Sequence, residues 1–203
     1  YDIAYQGNGQ DEELSKEQLQ LIQQLYERVA CYRQALASHD QDFCDHELCR
    51  RYLVARQWDL GKAEDQLVST LMWRAEEQPG KLELWQNPKA FANPLCVNLR
   101  VVGLDKEGRP ICYTCFAEAH DRWDAEANTL YVFTVLEACQ RILRQRRGKG
   151  LNKTATSRQC VFVIDFDGFG LRDQNPRSAI LTAKLLKHFP EFLNFVALID
   201  APV

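Results

Sequence analysis

Cys160-Val161-Phe162-Val163-Ile164-Asp165-Phe166 is a short, continuous apolar run with one carboxylate near its end. A run of this length, rich in β-branched and aromatic residues, reads as a strand buried on both faces. The residues after it decide the fold. Asn175-Pro176 opens a helix, with Pro in the first turn where its missing N–H is no loss, and the helix ends before Pro190. Phe195-Val-Ala-Leu-Ile199 is then a second buried strand. Strand, helix, strand at this spacing predicts a right-handed crossover in an α/β sheet.

Upstream of that unit, Asp124 to Arg147 keeps helical spacing through Leu130, Phe133, Leu136, Ile142 and Leu143, and Gly148 is expected to end it. Before it, Val97 to Asp105 and Ile111 to Phe116 read as two strands. The turn Asp105-Lys-Glu-Gly-Arg-Pro110 joins them into a hairpin. The first 80 residues differ in kind. Ser15-Lys-Glu-Gln18 reads as a capping box, with Leu14 and Leu19 as its staple, and Ile22, Leu25, Tyr26, Val29 and Ala30 continue a helix to about Ala37. A second helix is expected over His46 to Gln57. A third, capped by Asp59, carries Ala63, Leu67 and Leu71 until Pro79-Gly80. We therefore expect a flexible segment over 1–13, a helical N-terminal subdomain over 14–80, and a sheet lobe over 95–203.

The chain has 203 residues, 46% hydrophobic and 26% charged, with a net charge of -3 and a pI near 5.9. This is globular composition, and the acidity argues against binding nucleic acid through its phosphates. The longest apolar stretch, around Leu130 to Leu136, is too short to span a bilayer, and no signal segment opens the chain. Of eight cysteines, Cys49, Cys139 and Cys160 sit in apolar periodic segments and read as small core residues of a reduced, cytoplasmic protein. The ends, Tyr1-Asp-Ile3 and Ala201-Pro-Val203, read as cut.

Several motifs invite chemistry. Val163-Ile-Asp-Phe-Asp-Gly168 resembles the nucleophile motif of haloacid-dehalogenase phosphatases, with Asp165 attacking phosphorus and Asp167 as acid or base. The later Ser/Thr, Lys and acidic parts of such a site are not in place. The plainer reading is an Asp165 that bonds turn amides beside a Gly168 that allows the turn. Cys112-Tyr-Thr-Cys115 lies on a strand, where residues three apart face opposite sides, and so suits neither redox nor metal work. His39, Cys44, His46 and Cys49 could gather round zinc, but Cys49 belongs to an apolar stripe, so no metal and no cofactor is expected. His120 and His188 have no Cys or Ser partner in sequence, and Trp58, Trp73 and Trp85 read as core or interface anchors. Arg141, Arg144, Arg146, Arg147, Lys149 and Lys153 form the one basic cluster. It is read either as cations suited to a helix C-terminus or as a patch facing an anionic membrane.

Four stretches, in order, resemble one family. Leu48-Cys-Arg-Arg-Tyr-Leu-Val-Ala-Arg-Gln-Trp-Asp59 is similar to its "LLRFLRARKFD" helix pair, and Lys62-Ala63 through Trp73-Arg74 to the "A…WR" helix next in order. Gly103 to Pro110 matches "DKxGRP". Val163 to Gly168 matches "xxDxxG", and Phe189-Pro-Glu191 through Ile199-Asp-Ala-Pro202 matches "YPERxxxxxxxNAP". The family is the CRAL-TRIO lipid-exchange domains, typified by fungal phosphatidylinositol transfer proteins, and the likeness runs over about residues 45 to 202.

The resemblance implies a helical subdomain followed by a CRAL-TRIO-type mixed sheet flanked by helices, C-terminally incomplete because the family's gate helix would lie beyond Val203. It implies a non-catalytic domain that binds, transfers or presents a phospholipid or other small hydrophobic molecule, cytoplasmic and peripherally membrane-associated. Strand alternation puts Cys160, Phe162 and Ile164 on one face and Val161 and Val163 on the other. The first face would floor the pocket, with Val101 and Cys112 from the hairpin and Glu191 as a headgroup contact. Hydroxyl residues that hold a phosphate in phosphatidylinositol-binding members are replaced here by Cys160 and Phe162, the matching Lys by Gln57, and two tyrosines by Val101 and Cys112. The resemblance thus points away from the standard headgroups. The alternative expectation is a protein-interaction scaffold with a decayed lipid site, using the ungated sheet face for a partner or for self-association.

Overall fold

The computed structural model describes residues 5–6, 14–77, 98–119, 123–150, 159–170 and 173–201. Pro79-Gly80, Trp85, His120, Lys153 and the His39 side chain lie outside this description. The described residues fall into two compact units. One holds 14–77 together with His188–Glu191, and the other holds 5–6, 98–187 and 192–201.

The first unit is helical. Helix α1 (Lys16–Arg28) opens on the expected capping box: Ser15 Oγ accepts the Gln18 N–H at 3.2 Å and Gln18 Oε1 accepts the Ser15 N–H at 2.9 Å. Leu14 packs against the core, but Leu19 stands 52% exposed, so the staple does not close. The helix stops at Val29, and a short α2 (Ala30–Gln34) succeeds it where one continuous helix was expected. Helix α3 (His46–Ala55) is capped by Asp45, whose Oδ1 accepts the Leu48 N–H at 2.8 Å. Gln57 and Trp58 then take left-handed φ of 54° and 63°, ending the helix before its expected limit. Asp59 caps α4 (Leu60–Glu77) as anticipated.

The helices bury a continuous core in which Leu25, Val29, Tyr52, Leu53 and Leu67 are fully enclosed. Two polar sets complete it. Arg74 and Asp40 pair at 2.9 Å with almost no exposure, and the guanidinium lies 3.6 Å over the Phe43 ring. The Tyr52 hydroxyl donates to Thr70 Oγ1 at 2.8 Å, with the His188 carbonyl 3.2 Å away. The His188 Nδ1 sits 2.9 Å from Thr70 Oγ1, and its ring stacks on Trp73.

The second unit is α/β. Its mixed sheet holds β1 (Tyr5–Gln6), β2 (Arg100–Leu104), β3 (Pro110–Cys115), β4 (Cys160–Asp165) and β5 (Leu193–Ile199) in the order β1-β5-β4-β3-β2. β3, β4 and β5 are parallel, and the outer pairs are antiparallel. The pairing of Tyr5 with Val196 is a feature that the polar opening of the chain does not announce. The hairpin turn forms around Asp105, whose Oδ1 accepts the N–H groups of Glu107 and Arg109, both at 2.9 Å. Gly108 has a φ of 80°, a left-handed conformation that favours glycine, and the Arg146 guanidinium lies against it.

Helix α5 (Ala125–Gly148) links β3 to β4, and α6 (Pro176–Leu186) links β4 to β5. Gly148 is the last residue of α5, and the left-handed residue that turns the chain away is Gly150, at φ 68°. α6 packs mainly against α5 and hardly at all against the strands. Consequently β4 and β5 are not buried on both faces as their composition suggests. Every residue from Val161 to Asp165 and from Leu193 to Leu198 is half-buried.

Candidate functional site

The gap left beneath α6 is a cavity of about 670 Å³, within the range of small-molecule sites. Register aligns its floor. Thr114 pairs with Ile164 across β3 and β4, and Phe162 pairs with Val196 across β4 and β5, so all four side chains lie on one sheet face. Val132 of α5 and Ala179, Ala183 and Leu186 of α6 form the walls. Phe116 and Phe169 close one end, in a three-ring cluster with Phe166 at 5.5–5.7 Å between centroids. Exposed Ala179 and Ala183 open the cavity along α6.

Polar groups enter at few points. Thr114 is buried on the floor, and Asn128 is buried on α5 and donates from Nδ2 to Ser178 Oγ on α6 at 3.3 Å. Thr182 lies one turn beyond Ser178. Asp173 and Asn175 stand where the chain enters α6.

Of the residues singled out from sequence, Phe162 and Ile164 line this cavity. Cys160 does not. It is fully buried against Cys112 and Cys139, and its Sγ lies 3.4 Å from the Phe192 carbonyl. Cys112 shares the floor's face, but Cys139 of α5 covers it, with the two sulfurs 3.3 Å apart. The hydrogen bond with Cys112 pushes the Cys139 thiol up, and burial does the same for Cys160, so both stay neutral. Val101 is half-buried opposite Cys112 beside a register shift, and Leu99 lines the cavity instead. Glu191 belongs to the helical unit, exposed at a φ of 51°.

Arg141 and Lys149 are exposed at the end of α5. Arg144, Arg146 and Arg147 are half-buried, Arg144 donating to Gln140 and Arg146 resting on the hairpin at Gly108. Asp165 bonds a turn amide, the contact its plainer reading expects. It accepts the Tyr113 hydroxyl at 2.7 Å and the Asp167 N–H at 2.9 Å, and these bonds hold its carboxyl below the usual range while Tyr113 is pushed up to about 12. In the proposed zinc set, His46 stacks on Tyr26 and bonds Gln23, while Cys49 hydrogen-bonds Cys44. Among the described residues no three His, Cys, Asp or Glu side chains come together as metal ligands, and no helix is long and apolar enough to cross a membrane.

Sequence reading missed Thr114, Asn128, Ser178, Thr182 and Asp173. A usable signal existed on α6, where Ser178, Ala179, Thr182 and Ala183 make a small-residue face at helical spacing.

Fold and cavity together define an α/β lobe that holds an open apolar chamber on one sheet face. The CRAL/TRIO domain model matches residues 99–203, more than half of the chain, and the chain belongs to that family. Its domains bind small hydrophobic molecules such as lipids and are in general not enzymes. The CRAL-TRIO domain-containing protein T23G5.2 of Caenorhabditis elegans is 26% identical in an alignment of 162 positions that covers 75% of this chain. The chain spans 22% of that relative's length. The crystal structure of Sfh5 shares the fold, with a TM-score of 0.60 at 13% identity, covering 95% of this chain and 73% of that one.

Proposed function

We propose that this chain takes one lipid or similar hydrophobic molecule into the chamber under α6 and carries or presents it between membranes, without catalysis. The observation that carries the reading is the matched row Thr114–Ile164 and Phe162–Val196, an apolar floor that α6 leaves uncovered. Burying a chain there is favourable by about 0.8 kcal/mol per CH₂. Phe162 and Ile164 would contact the ligand directly. Val101, Cys112 and Cys160 would shape the sheet beside it. The engagement of Asp165 by Tyr113 and by the Asp167 amide supports a structural Asp and a non-enzymatic domain. Arg141, Arg147 and Lys149, with Lys153 beyond them, would draw the carrier to an anionic, cytoplasmic membrane surface.

Native mass spectrometry of the chain after incubation with vesicles made from a total lipid extract tests this. One lipid bound per chain is expected. Ala183→Trp, with circular dichroism unchanged, is expected to lose most of it. A parent chain that carries no lipid overturns the proposal.

A further inference from the structure

Beside the chamber's floor sits a set of thiols that the binding of a lipid does not use. We infer that Cys112 and Cys139 are an oxidation site, joined by hydrogen peroxide into a disulfide that ties β3 to α5.

Three thiols from three elements meet here: Cys112 of β3, Cys139 of α5 and Cys160 of β4, all fully buried. The Cys112 and Cys139 sulfurs are 3.3 Å apart, and Cys160 hydrogen-bonds to both. Cys115 stands on the other face of β3, beside the Asp167 carbonyl. The motif Cys112-Tyr-Thr-Cys115 therefore hides the pair that the fold makes, whose members lie 27 residues apart. A disulfide needs its sulfurs about 2.05 Å apart, so closing the pair takes a movement of little more than about 1 Å.

The same geometry supplies a nucleophile, a resolving thiol and a way in. The hydrogen bonds with Cys139 and then Cys160 hold the Cys112 thiol below its usual range, against the effect of burial, while Cys139 and Cys160 are pushed up. The thiolate is the form that attacks. Cys112 is the cross-strand partner of Phe162, which floors the open chamber, so a peroxide little larger than water reaches the pair from that side.

The Cys112 sulfur attacks one peroxide oxygen, the O–O bond breaks, and the departing hydroxide takes the Cys139 proton to leave as water. The Cys139 sulfur then attacks the Cys112 sulfenic sulfur. The S–O bond breaks, and the second hydroxide leaves as water with the proton that Cys112 had released. Two thiols are oxidised to one disulfide, and one peroxide is reduced to two waters.

Peptide mapping of the reduced chain, before and after equimolar hydrogen peroxide, tests this. The Cys112 and Cys139 peptides are expected to become linked, dithiothreitol to separate them, and the melting midpoint of the linked chain to rise by about 5 °C. Cys112 and Cys139 still found as free thiols on alkylation in denaturant would overturn the inference, as would a link from Cys112 to Cys115 or Cys160. An unchanged midpoint overturns the tie between β3 and α5. Cys139→Ala, with circular dichroism unchanged, removes the resolving thiol, and its Cys112 is expected to stop at the sulfenic acid and to be captured by dimedone. No capture overturns the role of Cys112 as nucleophile.

Discussion

The two units of this chain bury their apolar residues in opposite ways. In the helical unit, Leu25, Leu53, Leu67 and Leu71 are at most 1% exposed, and even its polar pairs are sealed in. In the sheet lobe, β4 beyond Cys160 and nearly all of β5 are half-buried, and α6 buries only Leu185. Both are built from apolar sequence of similar density. The difference lies in what covers them: four helices close on each other in one unit, while in the other α6 leans on α5 and leaves the sheet an unfilled face. A lobe that holds back part of its own packing has apolar surface to give to a ligand.

The largest effect that would break this contrast is expected in the helical unit. Arg74→Ala leaves the Asp40 carboxylate buried without its partner, and should cost about 3–5 kcal/mol in urea unfolding. A loss below about 1 kcal/mol would mean that the pair is not sealed. Next comes a matched pair of truncations. Leu67→Ala opens a new void in a closed core and should cost about 2–5 kcal/mol, whereas Ile164→Ala enlarges a space that already exists and should cost about 1 kcal/mol. Equal losses would put the two units on the same footing.

The smallest effect is electrostatic and belongs to the lobe. The Tyr113 hydroxyl, then the Asp167 N–H, depresses the Asp165 carboxyl in the folded chain. A depressed pKa adds stability above the unfolded value of about 3.9, and that stability is lost as pH falls through the lower folded value. Between pH 5 and pH 3 the parent should therefore lose more stability than Tyr113→Phe, as read from urea midpoints at the two pH values. Parallel losses would remove the bond from the account.

Much of the fold was legible because local rules and tertiary packing agree. Ser15, Asp59 and Asn175 cap the helices they were expected to cap, and the hairpin turns at Asp105–Pro110. The lobe's openness was not legible. Val161 to Ile164 has the composition of a strand covered twice, and composition cannot report that the helix after it packs elsewhere. Of the site, alternation found Phe162 and Ile164, since a period of two survives folding. It did not report that Cys112 and Cys139 cover Cys160, and it missed the walls because they lie on helices remote in sequence from the floor.

His188 is carried between α6 and β5, yet its ring, its Nδ1 and its carbonyl are all held by Trp73, Thr70 and Tyr52. The chain is thus interleaved rather than laid end to end. An expression fragment starting at the first long strand would leave His188 without Trp73, Thr70 and Tyr52. Linear boundaries are a poor guide to dissecting this protein, and the lobe should be studied with its helices attached.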